Sequence, residues 1–86
     1  MRYKLLKRNR IFRSDSHSRF IKWMRETDLQ QWNDNKDFME GYAYRKSTFE
    51  NMFIRYDNED VFVEDLQKNN LLKIESSKGL FGLFQF

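Results

Sequence analysis

The chain has 86 residues, 17% of them aromatic, with no proline and no cysteine. Without cysteine there is no disulfide framework and no thiolate zinc site, and with one histidine no transition-metal centre is expected. No apolar run is long enough for a transmembrane helix, and the basic N-terminus is not followed by the apolar stretch of a signal peptide, so neither is expected. The formal net charge of +3 hides a separation of sign: residues 1–26 hold nine Lys or Arg against two acids, +7, and the remainder seven against eleven, −4. A segregated basic end is the electrostatic footprint of a polyanion binder.

In chain order, Arg2 to Lys7 reads as a strand, with Tyr3 and Leu5 alternating with Lys4. Arg8 to Asp15 reads as a polar arm broken by Ile11 and Phe12. Ser16 is an N-cap for a helix running to about Glu26. On that helix Phe20, Ile21 and Met24 share one face, Arg19, Lys22 and Arg25 lie roughly opposite, and Trp23 sits at the border. Thr27 to Trp32 suggests a short helical turn, and Asn33-Asp34-Asn35 a loop. Asp37 and Glu40 have capping-box spacing before a face of Phe38, Met39, Tyr42 and Ala43, weakened by Gly41 by about 1 kcal/mol relative to Ala. Ser47 and Glu50 form a cleaner capping box. After it, Phe49, Met52, Phe53 and Tyr56 follow helical spacing up to a stop near Asp57-Asn58. In Glu59 to Asn70 the β-branched Val61-Phe62-Val63 favours a strand, but the polar tail continues a helical period, so the preferred reading is a helix with Phe62, Val63 and Leu66 inward and Asp60, Glu64 and Asp65 outward. Leu71 to Glu75 and Leu80 to Phe86, joined by a glycine-containing loop, read as a β-hairpin.

The expected architecture is thus one α+β domain over residues 1–86. A basic arm or edge strand (1–15) precedes a helical region (16–70) of three to four short helices, and a C-terminal β-hairpin (71–86) follows. The order of residues 47–86, helices ending in Leu-Gln-Lys-Asn-Asn-Leu-Leu and then a hairpin, resembles a winged helix-turn-helix domain with Lys73 to Phe86 as the wing. The resemblance breaks at the recognition helix, which carries Glu59, Asp60, Glu64 and Asp65 where a DNA reader needs Arg, Lys, Asn or Gln. Such a helix suits a protein partner better than DNA.

The candidate nucleic-acid-binding residues are Arg8, Arg10, Arg13, Arg19, Lys22, Arg25 and Trp23. The cations are expected to form one continuous positive surface that releases counterions on binding phosphate. Interleaved Tyr3, Phe12, Trp23 and Trp32 can stack on unpaired bases, which favours single-stranded or irregular RNA. The bland alternative is a solubilising surface, or pairing with the acidic half of the molecule. His17, in Ser-Asp-Ser-His-Ser, lacks an orienting partner and an oxyanion hole in sequence, so its expected role is capping and no catalytic residue is assigned. The acids of residues 57–65 lack the glycine and terminal glutamate of a calcium loop, so no metal is assigned either. The candidate protein-interaction residues are Glu59, Asp60, Glu64 and Asp65 on the acidic helix, with Phe81 and Phe84 on the hairpin. Leu80 to Phe86 is apolar on both faces, which leads to an expected homodimer or a fully buried strand.

Two functional readings follow. One is a non-catalytic nucleic-acid-binding protein without cofactor, RNA favoured, located in the cytoplasm. The other is an inhibitor or adaptor that neutralises a host protein such as a nuclease or toxin. In style, being short, aromatic-rich, rich in Lys and Asn and without an enzyme signature, the chain resembles the small accessory and counter-defence proteins of T-even-like phages. That resemblance implies action on host machinery.

Overall fold

A computed structural model describes residues 1–75. They form an α+β fold in the order β1 (Arg2–Leu5), β2 (Arg10–Arg13), α1 (His17–Glu26), α2 (Asn35–Glu50), α3 (Glu59–Lys68) and β3 (Leu72–Glu75). The strands make one antiparallel sheet in the order β2-β1-β3. Two of its three strands precede the helices, and of the helix-then-hairpin order expected for residues 47–86 the described residues show α3 followed by β3. The expected arm is instead β2: Leu6 to Asn9 turn the chain, with Asn9 in the left-handed region at φ 52°, and β2 returns along β1 with Tyr3 opposite Phe12. β3 starts where a C-terminal strand is expected, but its described partner is β1, with Ile74 opposite Tyr3. The second hairpin strand, Leu80 to Phe86, lies outside the described residues, as do Phe81 and Phe84.

The helices cover one face of the sheet. α1 is capped as its sequence predicts, with Ser16 Oγ accepting from the Arg19 amide at 3.2 Å, and it buries Phe20, Ile21 and Met24. α3 begins at Asn58, whose side chain accepts from the Val61 amide, and buries Phe62, Val63 and Leu66. Tyr3 and Leu5 of β1, Phe38, Met39, Tyr42 and Ala43 of α2, and Leu71 and Leu72 join them in the core. Tyr3 and Phe20 lie nearly parallel with centroids 4.4 Å apart, and Phe62 packs edge-on to Tyr42. Rings of this size give a short chain a core of useful area.

Three expected elements are corrected. Thr27 to Trp32 is not helical: the chain turns and bends as far as Gln30, and Gln31 and Trp32 are irregular. α2 starts earlier, on Asp34 rather than Asp37, and runs straight through Ser47, so the Ser47–Glu50 pair caps nothing. The helix stops at Asn51, in the left-handed region at φ 55°. Beyond it residues 51–56 have no helix, and Phe49 and Phe53 are 79% and 77% exposed. The residue of this segment that enters the core is Ile54, which the helical spacing skipped. Among the described residues, no helix is long and apolar enough to cross a membrane.

Candidate nucleic-acid interface

The antiparallel register and the α1 wheel together build one edge of the molecule. Phe12 is the half-buried member of β2, and its ring lies against Trp23 of α1 at 4.9 Å between centroids and 16° between planes. Phe20 backs Trp23 from the core at 6.0 Å. Arg10, two residues before Phe12 and therefore on the same side of β2, holds its guanidinium 5.2 Å over the Trp23 ring. A surface groove of about 300 Å³ runs beside the pair, lined by Phe12, Arg13, Arg19, Lys22 and Trp23 together with Ser14 and Glu26. Arg10, Arg13, Arg19 and Lys22 are all exposed. Arg19 is also 3.3 Å from Asp15, one helical turn away, an exposed pair that competes weakly with another anion.

Four of the six candidate cations therefore surround one stacked aromatic pair. The other two go elsewhere. Arg25 is half-buried, and its Nε donates to Asn35 Oδ1 at 3.1 Å while Asn35 Nδ2 donates to the Ser18 carbonyl, a bridge that fastens α1 to the start of α2. Arg8 lies in the β1–β2 turn beside Tyr42, Lys46 and Glu50 of α2 and lines none of the groove at Trp23. A wheel places Arg25 on the polar face but does not say that a second helix arrives there. Of the four rings expected to meet bases, Tyr3 is fully buried and Trp32 belongs to a different part of the surface, leaving Phe12 and Trp23.

Strand pairing also brings Arg13 together with three cations that sequence reasoning overlooked. Arg2 lies opposite Arg13, and Lys4 opposite Lys73, so all four project from the face of the sheet away from Tyr3 and Leu5. Glu75 joins them, 3.3 Å from Arg2 and 3.9 Å from Lys73. The signal was the alternation in β1 once Arg10–Arg13 is read as its partner strand instead of an arm.

His17 is not without a partner. The Tyr3 hydroxyl is 2.8 Å from His17 Nδ1, and donates to it when the imidazole carries its proton on Nε2. The Tyr3 phenol is pushed above its ordinary range by burial and, next, by the nearby Asp15 and Asp60. The acidic helix also differs from expectation. Asp65 is buried, not outward: it accepts from the backbone amide, Nε and Nη2 of Arg55 at 2.8–2.9 Å. Those hydrogen bonds overcome its desolvation and hold its carboxyl down at about 2. Glu64 is exposed but lies 3.2 Å from Arg55 and 3.3 Å from Lys68. Glu59 and Asp60 remain as acids of the first turn, where the helix dipole favours them. No family model, curated protein or solved structure matches this chain.

Proposed function

We propose that this chain is a small non-catalytic nucleic-acid-binding protein, with RNA favoured, serving as an accessory factor of a phage or mobile element that acts on host machinery. The observation that carries the reading is the Phe12–Trp23 stack ringed by Arg10, Arg13, Arg19 and Lys22. A ring pair with exposed cations offers a base a surface to stack on and its flanking phosphates a counter-charge. The element in reach is the side of a helix and a strand edge with few base-reading groups. That supports unpaired, flexible strands over a duplex groove, and stacking on unpaired bases is the usual mode of RNA recognition.

The test is fluorescence anisotropy with labelled single-stranded RNA, duplex RNA and duplex DNA at two salt concentrations. Single-stranded RNA should bind tightest. Trp23→Ala should weaken that binding by roughly 10-fold or more, as expected for about 1–3 kcal/mol of lost stacking. Equal binding of all three nucleic acids with no response to Trp23→Ala, or no binding at low salt, would reject the reading.

A further inference from the structure

Another part of the surface has the opposite character. Between α2 and the extended residues 51–56 lies a groove of about 470 Å³, a size typical of ligand sites. Trp32, Tyr44, Phe53 and Tyr56 line it, and Asp37 and Glu40 stand among them. Tyr44, Phe53 and Tyr56 are 69%, 77% and 42% exposed. Among the described residues, the lining holds no Lys or Arg and neither carboxylate has an ion-pair partner; Asp37 accepts from the Asn33 amide at 3.1 Å, and Arg45, outside the lining, holds its guanidinium 5.9 Å over the Trp32 ring. The groove is also held in shape. Trp32 Nε1 donates to Asp28 at 2.7 Å, its ring lies against Gly41, and Arg55 ties residues 51–56 to α3 through Asp65. Exposed rings in one patch mark an interaction surface. Ring faces attract a cation, and carboxylates beside them strengthen that choice while repelling phosphate.

We infer that this groove receives a segment of a partner protein in which an apolar side chain neighbours a lysine or arginine. It is separate from the Trp23 edge in every lining residue, so the molecule would hold a polyanion at one site and a cationic peptide at another. Trp32 supplies the readout. The chain has two tryptophans, and Trp23→Phe leaves Trp32 as the sole one while keeping an aromatic ring at position 23. Titrating that full-length variant with an acetylated, amidated hexapeptide of alternating leucine and arginine should give a saturable change in Trp32 emission, with Kd tighter than about 1 mM. A leucine–glutamate peptide should bind at least about tenfold more weakly, because its charge meets Asp37 and Glu40. Added Glu40→Lys or Phe53→Ala should weaken the arginine peptide by a similar factor with circular dichroism unchanged, since both side chains are exposed. Equal binding of the two peptides, or no saturation, would overturn the proposal. So would emission that changes with protein concentration alone, which would assign the groove to a second copy. Binding that appears only after Phe81→Asp and Phe84→Asp would assign it to the chain's own C-terminal residues, and overturn it too.

Discussion

A tyrosine hydroxyl inside a core needs a partner, and Tyr3 finds His17 across fourteen residues. Sequence inspection could only ask whether His17 had a nucleophile nearby; its role depends on a hairpin that brings β1 beneath the start of α1. His17→Ala should leave that buried hydroxyl unsatisfied and cost about 1 kcal/mol, or roughly 4–8 °C in Tm for a domain of this size. Tyr3→Phe removes the hydroxyl with its need and should cost less, and RNA affinity should stay within a few-fold for both. Calorimetry with the anisotropy assay checks this; a His17→Ala protein of full stability that no longer bound RNA would give the imidazole a direct role. Asp65 makes a pH prediction. Its carboxyl sits at about 2 in the fold against 3.8 ordinarily, so between these values the unfolded chain binds more protons and stability falls as pH falls. The contribution is complete above about pH 4 and lost towards pH 2. Asp65→Asn should flatten that part of the stability curve and cost about 2 kcal/mol at neutral pH, through the charged hydrogen bonds it weakens. An unchanged acid limb would show that the Arg55 pair does not persist in solution.

Elements were legible where local signals agreed. Ser16 followed by the Phe20, Ile21, Met24 stripe gave α1, where cap and period point the same way, and the Phe62, Val63, Leu66 period gave α3, although its cap Asn58 reads in the sequence only as the stop of a preceding helix. They failed where two local signals competed. Ser47-x-x-Glu50 is a good helix start, but Tyr42 and Ala43 already hold α2 against the core, and a capping pair has no orphan amides to satisfy inside a continuing helix. Asp65 was misread because a carboxylate scores as solvent-facing until Arg55, ten residues earlier, is known to reach it. Gly41 was misread in the same direction. It looked like a defect in α2, yet a Cβ there would lie 2.2 Å from the Trp32 ring, so the missing side chain is what seats the indole. Helix propensity alone has Gly41→Ala stabilising by about 1 kcal/mol. We expect net destabilisation of about 1 kcal/mol or more, since the ring is fixed by Asp28 and Phe38 and has little room to retreat. Urea unfolding followed by tryptophan emission tests this, and a stabilised variant would show that Trp32 does not occupy that seat.

At the scale of the whole molecule, charge separation along the chain becomes separation on the surface, but not in the simple form the sequence suggests. Arg25 and Arg8 leave the basic edge for structural neighbours, while strand pairing gathers Arg2, Lys4, Arg13 and Lys73 on the outer sheet face. Two paths for a bound strand therefore compete: along the β2–α1 edge past Trp23, or across the sheet. Counterion release separates them. Four phosphate contacts from Arg10, Arg13, Arg19 and Lys22 should give a slope of about −3 in log K against log salt for single-stranded RNA, or roughly a 50-fold loss of affinity from 50 to 200 mM. Reversing Arg19 and Lys22 to Glu removes two of these contacts, both on solvent-facing positions, and should abolish measurable binding at moderate salt with the fold intact. Lys4→Glu with Lys73→Glu should leave the slope near −3 if the strand follows the edge. A wild-type slope near −5 that falls sharply in the Lys4 and Lys73 variant, with little effect from Arg19 and Lys22, would move the path onto the sheet. Trp23 would then be a packing residue over Phe12 instead of a platform for a base, and the assignment of the interface to the β2–α1 edge would fail.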